Sequence, residues 1–216
     1  HGLITWGATA KESYDSTIAV IADAQDFLAR RLAGKKVFGG AKRKAALPDA
    51  RKEFALWCLP VIRGAVSAKR RSVLTFDDTP DVLEFVNSRK LVALAGKGAA
   101  CPDHLVSTKL YPLVIDRFSP DNPASFTKHF SNALAAYVER YAKYFEANKA
   151  KGDIMYDPFP RIILIPGIGM VATGKDKATA DITRDIYHRT ISVIKNASTV
   201  SSYVSMTPPE AYSVEY

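Results

Sequence analysis

Cysteine is scarce: Cys58 and Cys101 are the only two in 216 residues, and no C-x-x-C spacing joins them. This disfavours a disulfide scaffold, and buried thiols in a reducing cytosol are the better reading. Long hydrophobic runs are missing too. No apolar stretch approaches the roughly 18 residues needed to cross a bilayer, and no basic-then-apolar signal segment stands at the start. The chain therefore reads as soluble and cytoplasmic, with no membrane partner. Histidine is equally thin: His1, His104, His129 and His188 show neither H-x-H nor H-x3-H spacing. Zinc needs three or four ligands, so spacing alone gives none of the four a metal role.

Charge of one sign dominates, with 30 Lys and Arg against 22 Asp and Glu, for a formal net charge of +8. The basic residues gather at Arg30-Arg31, Lys35-Lys36, Lys42-Arg43-Lys44 and Lys69-Arg70-Arg71. No aromatics are interleaved with them for base stacking, which disfavours nucleic acid as a partner. A solvated surface, or attraction for a phosphorylated metabolite, fits this distribution better.

What is present is enough to bury a sizeable core, since 47% of the residues are hydrophobic. Leu3–Trp6 reads as a short strand. Thr9 and Glu12 form a capping box for an amphipathic helix to about Leu32, and Gly34 stops it. A second helix begins after Pro48 with Phe54, Trp57, Val61 and Ile62 as its stripe, and Pro60 should kink or divide it. Ser72–Phe76 and Leu113–Ile115 read as strands, and Asp77-Asp78-Thr79-Pro80 starts another helix. Leu91–Leu94 is ambiguous. A long helix is expected over Ala124–Ala150, and a last one over Lys175–Asn196, followed by an irregular tail. Arg161–Ile165, bounded by prolines, has the continuous apolar character of a strand covered on both faces, and Met170–Ala172 adds a short strand. The alternation predicts an α/β fold, a layered α/β/α arrangement with a mixed sheet.

Thr17–Ala24 echoes Thr190–Ala197, and each run follows a pair of glycines five apart. Two related strand-turn-helix units and chance similarity both account for this. Gly167, Gly169 and Gly174 follow a buried strand, yet they space as G-x-G-x4-G rather than G-x-G-x-x-G. A tight structural turn explains them better than a dinucleotide site. The densest polar cluster is Cys101–Lys109. There Lys109 and Thr108 could hold a phosphate and His104 could serve as acid or base. A helix start capped by Asp103, with Lys109 solvated, explains the same residues.

HGLITWG, followed by Thr9, Tyr14 and an amphipathic helix, resembles the stretch that carries the last zinc-binding histidine of class II aldolases of the fuculose/rhamnulose phosphate type. CPDHLVSTKLYPLVID, PRIILIPGIGMVATGKDKATADITRDIYHRTISVI and EAYSVEY resemble the bifunctional rhamnulose-1-phosphate aldolase/alcohol dehydrogenases, in the region between the zinc-site half and the short-chain dehydrogenase. The resemblance implies that His1 is a zinc ligand. It also implies that the other ligands lie upstream and that NAD binds a dehydrogenase domain downstream. Residues 1–216 then form one α/β region. In it, 1–34 closes the zinc-site unit, 35–160 connects, and 161–216 forms a second aldolase-like unit with a tail. The implied reaction is reversible cleavage of rhamnulose 1-phosphate, a small-molecule sugar phosphate, to dihydroxyacetone phosphate and lactaldehyde by a homo-oligomer. A non-catalytic scaffold or oligomerisation module, and a nicotinamide-dependent oxidoreductase, stand as alternatives.

Overall fold

The computed structural model describes residues 2–119 and 122–216. His1, the expected metal ligand, lies outside the described residues. Within them stand α1 (Ala10–Leu32), α2 (Pro48–Val66), β1 (Val73–Asp77), α3 (Pro80–Val86), α4 (Leu91–Ala95), α5 (Pro102–Thr108), β2 (Leu113–Val114), α6 (Pro123–Asn148), β3 (Ile162–Ile165), β4 (Gly169–Gly174), α7 (Lys177–Val200) and α8 (Pro208–Glu215). No helix among the described residues is long and apolar enough to cross a membrane.

The strands form one sheet in the order β1-β4-β3-β2, parallel between β2 and β3 and antiparallel elsewhere. All four residues of β3 are buried, as its unbroken Ile-Ile-Leu-Ile run requires of a strand covered on both faces. Successive side chains point to opposite sides. Ile162, Leu164, Met170 and Ala172 meet Phe85, Leu91, Tyr187 and Ile191 from α3, α4 and α7. Ile163, Ile165 and Val171 meet Phe54, Ile62, Phe126 and Phe130 from α2 and α6. Helices therefore cover both faces of a mixed sheet, the α/β/α layering expected from the sequence.

The glycines after β3 make a hairpin. Ile168 N–H donates to the Ile165 carbonyl at 3.0 Å, and β4 returns antiparallel from Gly169. A strand, rather than a helix N-terminus, follows Gly167-Ile168-Gly169, so the tight-turn reading holds. A Cβ on Gly169 would stand 2.5 Å from the Asp77 carbonyl oxygen on the neighbouring β1, so only glycine fits.

Four expectations need correction. Leu3–Trp6 is irregular backbone, and Leu3, Ile4 and Trp6 are exposed, because no neighbouring strand offers a hydrogen-bonding edge. α1 has the expected cap, with Glu12 N–H donating to Thr9 Oγ1 at 3.2 Å, yet it buries none of its residues. The echoed segments are thus not two equivalent strand-turn-helix units. Only the second has a strand before it, and only α7 buries its stripe, Tyr187, Ile191 and Ile194 included. Pro60 does not divide α2, which runs unbroken to Val66. Pro60 sits on the exposed side while Phe54, Cys58, Ile62 and Val66 hold the helix to the core on either side of it, so water can satisfy the freed carbonyl. Finally, the tail forms α8, where Thr207 and Glu210 complete a capping box behind Pro208-Pro209.

Both cysteines are free thiols. Burial pushes the Cys58 thiol up to about 12, which leaves it protonated and inert at neutral pH.

Candidate functional site

α5 begins at Pro102 after the extended Cys101 and ends at Lys109, whose φ of 62° places a non-glycine residue in the left-handed region. That turn sends its side chain away from those of the helix it ends. The three polar residues that the sequence groups together consequently face different partners.

His104 is half-buried against α7. Its Nδ1 lies 2.8 Å from Thr190 Oγ1, and the same hydroxyl lies 3.0 Å from the Ile186 carbonyl. A hydroxyl has one proton, and the carbonyl can only accept it, so His104 Nδ1 must be the donor to Thr190. That fixes the tautomer and leaves Nε2 as the basic nitrogen. Desolvation lowers the His104 pKa below that of a free imidazole, against the opposing pull of Asp103, so the ring is neutral at physiological pH.

Thr108 is buried, and its hydroxyl donates to the His104 carbonyl at 2.8 Å. Lys109 is buried as well, with its Nζ donating to the Asp157 carbonyl and lying 3.9 Å from the centroid of the Tyr141 ring. The space bordered by both Thr108 and Lys109 is only about 10 Å³, no more than one water requires. Thr108 and His104 are thus brought together through the helix backbone, while the Lys109 ammonium is sealed among α6, α8 and the Asp157 segment.

The surroundings of Lys109 form a network the sequence did not announce. Tyr156 N–H donates to Tyr216 Oη at 3.1 Å, Tyr216 Oη lies 2.7 Å from Tyr141 Oη, and Tyr141 donates to Glu215 Oε1 at 2.7 Å. Because Tyr141 spends its proton on the carboxylate, Tyr216 must donate to Tyr141, and the bonds run one way toward Glu215. Glu215 Oε2 and Tyr144 Oη are buried without a hydrogen-bond partner among the described residues. The readable signal for this network was the T-P-P-E capping box at Thr207–Glu210, which starts α8 and brings Glu215 and Tyr216 at its end against α6.

Burial, and then repulsion from Arg161, bring the Lys109 pKa from 10.5 down to about 8, despite the opposing pull of Glu215 and Asp157. The unfolded chain keeps the higher value and so holds more protons between the two, which makes this contribution to stability rise with pH across that window. Relative to Lys109→Met, the protein should therefore gain up to about 3 kcal/mol of unfolding free energy between pH 8 and 10.5. Paired urea titrations of the two proteins at both ends of the window measure it, and a pH-independent difference would refute the buried ammonium.

Among the described residues, no three or more His, Cys, Asp or Glu side chains converge in a way that could hold a metal ion. His129 is on the outside of α6 with Nδ1 2.7 Å from the Ser125 carbonyl, and His188 is on α7.

A second feature lies across the sheet's connections. Lys42 and Arg43 N–H both donate to the Asn87 carbonyl, and Gly167 N–H donates to Asn87 Oδ1 at 2.6 Å. This buried asparagine ties the 42–43 loop, the end of α3 and the β3–β4 turn to one another. Beside it opens a cavity of about 210 Å³.

Comparison with known proteins agrees with this architecture. The family described as aldolase class II, second domain, matches residues 54–216, which begins within α2 and runs through α8. The chain is 42% identical over 221 residues to a Bacillus subtilis (strain 168) protein named uncharacterized oxidoreductase YuxG. The match covers 100% of this chain and 32% of the relative, so the chain spans about a third of that protein's length. No solved structure matches. With three-quarters of its length matched and its mixed α/β/α sheet in place, the chain belongs to the class II aldolase family, within the part described as the second domain.

Proposed function

We propose that the chain works in a class II aldolase that reversibly cleaves rhamnulose 1-phosphate to dihydroxyacetone phosphate and lactaldehyde, as part of a polypeptide that also carries an alcohol dehydrogenase. The family match over residues 54–216 carries the reading. The oxidoreductase name of a relative of which this chain spans 32% supports a second activity on a longer protein, with NAD bound by that other part.

Zinc in such an enzyme would polarise the ketose oxygens and stabilise the enediolate. The described residues do not fit it, since they supply no converging ligand set. In this reading His1 is one ligand and the rest come from elsewhere in the enzyme. Of the described residues, His104 is assigned the proton-transfer role, because its Nδ1 is anchored on Thr190 and its Nε2 is left basic. Thr108 braces the His104 backbone. Lys109 meets a substrate phosphate only by leaving the Asp157 carbonyl.

The sealed state of Lys109 favours a second reading, in which this domain is a scaffold and subunit contact of a homo-oligomer. The two are separated by the full-length enzyme supplied with rhamnulose 1-phosphate and, in parallel, fuculose 1-phosphate, with dihydroxyacetone phosphate release as the readout. Release from the rhamnulose ester, slowed by His104→Gln about a hundredfold or more, is the expected result. An unaffected rate in His104→Gln assigns this domain to the scaffold, and no release from either ester refutes the aldolase reading.

A further inference from the structure

We propose that the cavity between the 42–43 loop and residues 87–89 binds the phosphate of a small phosphorylated hydroxy compound. Its wall offers a hydrogen-bond donor that the fold leaves unused. Asn87 is 6% exposed. Its oxygen is taken by Gly167 N–H, which turns its amide nitrogen toward the cavity side as an available donor. The neighbouring Ser88 hydroxyl is closed off from the cavity.

Two cations border the same space. Lys42 and Arg89 are exposed, and neither takes part in an ion pair among the described residues. Arg43 adds a third positive charge. It is anchored by bonds to the Pro166 and Asp116 carbonyls at 3.3 and 3.4 Å, and its guanidinium lies over the Phe118 ring. A multiply charged oxyanion is the ligand that can use a fixed neutral donor and several cations together.

The one acid on the wall, Asp116, narrows the class further. Its charge weakens the hold on a bare anion, whereas a phosphate ester with a free hydroxyl can donate to it. The volume of about 210 Å³ suits a three- to six-carbon phosphate ester rather than a nucleotide. The backbone behind these side chains is rigid: Lys42 N–H, Arg43 N–H and Gly167 N–H all converge on Asn87, and Arg89 N–H donates to the Gly40 carbonyl. The site is therefore preorganised, and it does not depend on the aldolase reading, because binding is measured without any cleavage.

Calorimetric titration of the protein with inorganic phosphate, glycerol 3-phosphate and glycerol tests it. One saturable site is expected for both phosphates, tighter for glycerol 3-phosphate, with no heat from glycerol. Arg89→Ala should weaken glycerol 3-phosphate about tenfold, the value of one charge-assisted contact. Ser88→Ala, which removes a hydroxyl closed off from the cavity, should leave the affinity unchanged. Arg70→Ala, an exposed arginine outside the cavity, should change nothing. Absence of saturable binding, or equal losses in Arg70→Ala and Arg89→Ala, would overturn the site in favour of diffuse surface attraction. Equal affinity for the two phosphates would overturn the contact with Asp116, and with it the ligand class.

Discussion

Gly174→Ala should destabilise the protein by about 3 kcal/mol or more, the upper end of what overpacking costs. A Cβ at this position would stand 2.3 Å from the Ala180 amide nitrogen and 2.7 Å from the Thr179 carbonyl carbon. Both contacts are backbone in the first turn of α7, so no rotamer change can relieve them. α7 is also the helix that seals one face of the sheet with Tyr187, Ile191 and Ile194, and moving it outward would open that whole layer. For a chain of this size the loss corresponds to a drop in Tm on the order of 10 °C. Gly64→Ala makes the contrast. Gly64 lies within α2, where an added Cβ meets nothing within 4 Å, so that variant should gain about 0.5–1 kcal/mol from helix propensity. Thermal scans of the two variants should move in opposite directions, and a neutral Gly174→Ala would contradict the close docking of α7 on β4.

Phe126→Ala is expected to cost about 3–5 kcal/mol, from lost burial and from the cavity left behind. Phe126 is fully buried and its ring contacts four others: Phe54, Trp57 and Phe118 edge-on at centroid distances of 5.1, 5.5 and 5.3 Å, and Phe130 stacked at 5.8 Å. Edge-to-face pairs add to the area they bury, and losing four partners at once leaves rings that cannot all close on the gap. Denaturant unfolding followed by tryptophan fluorescence reads the change directly, since Trp57 is one of those partners. A cost under about 1 kcal/mol would mean that the α2–α6 layer does not hold the sheet face as described.

The layers were legible in the sequence wherever pattern and tertiary need agree. β3 was readable because four consecutive apolar residues between prolines suit only a strand covered on both faces, and α7 because its apolar spacing is helical. Leu3–Trp6 has the same local pattern without a neighbour to bond, and pairing partners are not encoded locally. α1 has caps and periodicity but meets the rest of the described residues chiefly along α7, with only Leu32 against the core, so sequence could predict the helix and not its exposure. The site divided in the same way. Cys101–Lys109 was visible as a polar cluster, but the left-handed turn at Lys109 that separates its side chain from those of His104 and Thr108 has no marker when the residue is not glycine. Asn87 and Arg89 gave no signal, because their roles depend on a loop 45 positions earlier and a turn 80 positions later.

In the proposed reading this domain works in a metal-dependent aldolase, and its described residues supply no metal ligand set. Release of dihydroxyacetone phosphate from rhamnulose 1-phosphate, measured with added zinc for the full-length enzyme and for the 216-residue chain alone, tests that most directly. Zinc-dependent cleavage by the full-length enzyme, with weak zinc binding and little turnover by the chain alone, is the predicted result. Tight stoichiometric zinc binding and full turnover by the 216 residues alone would contradict it.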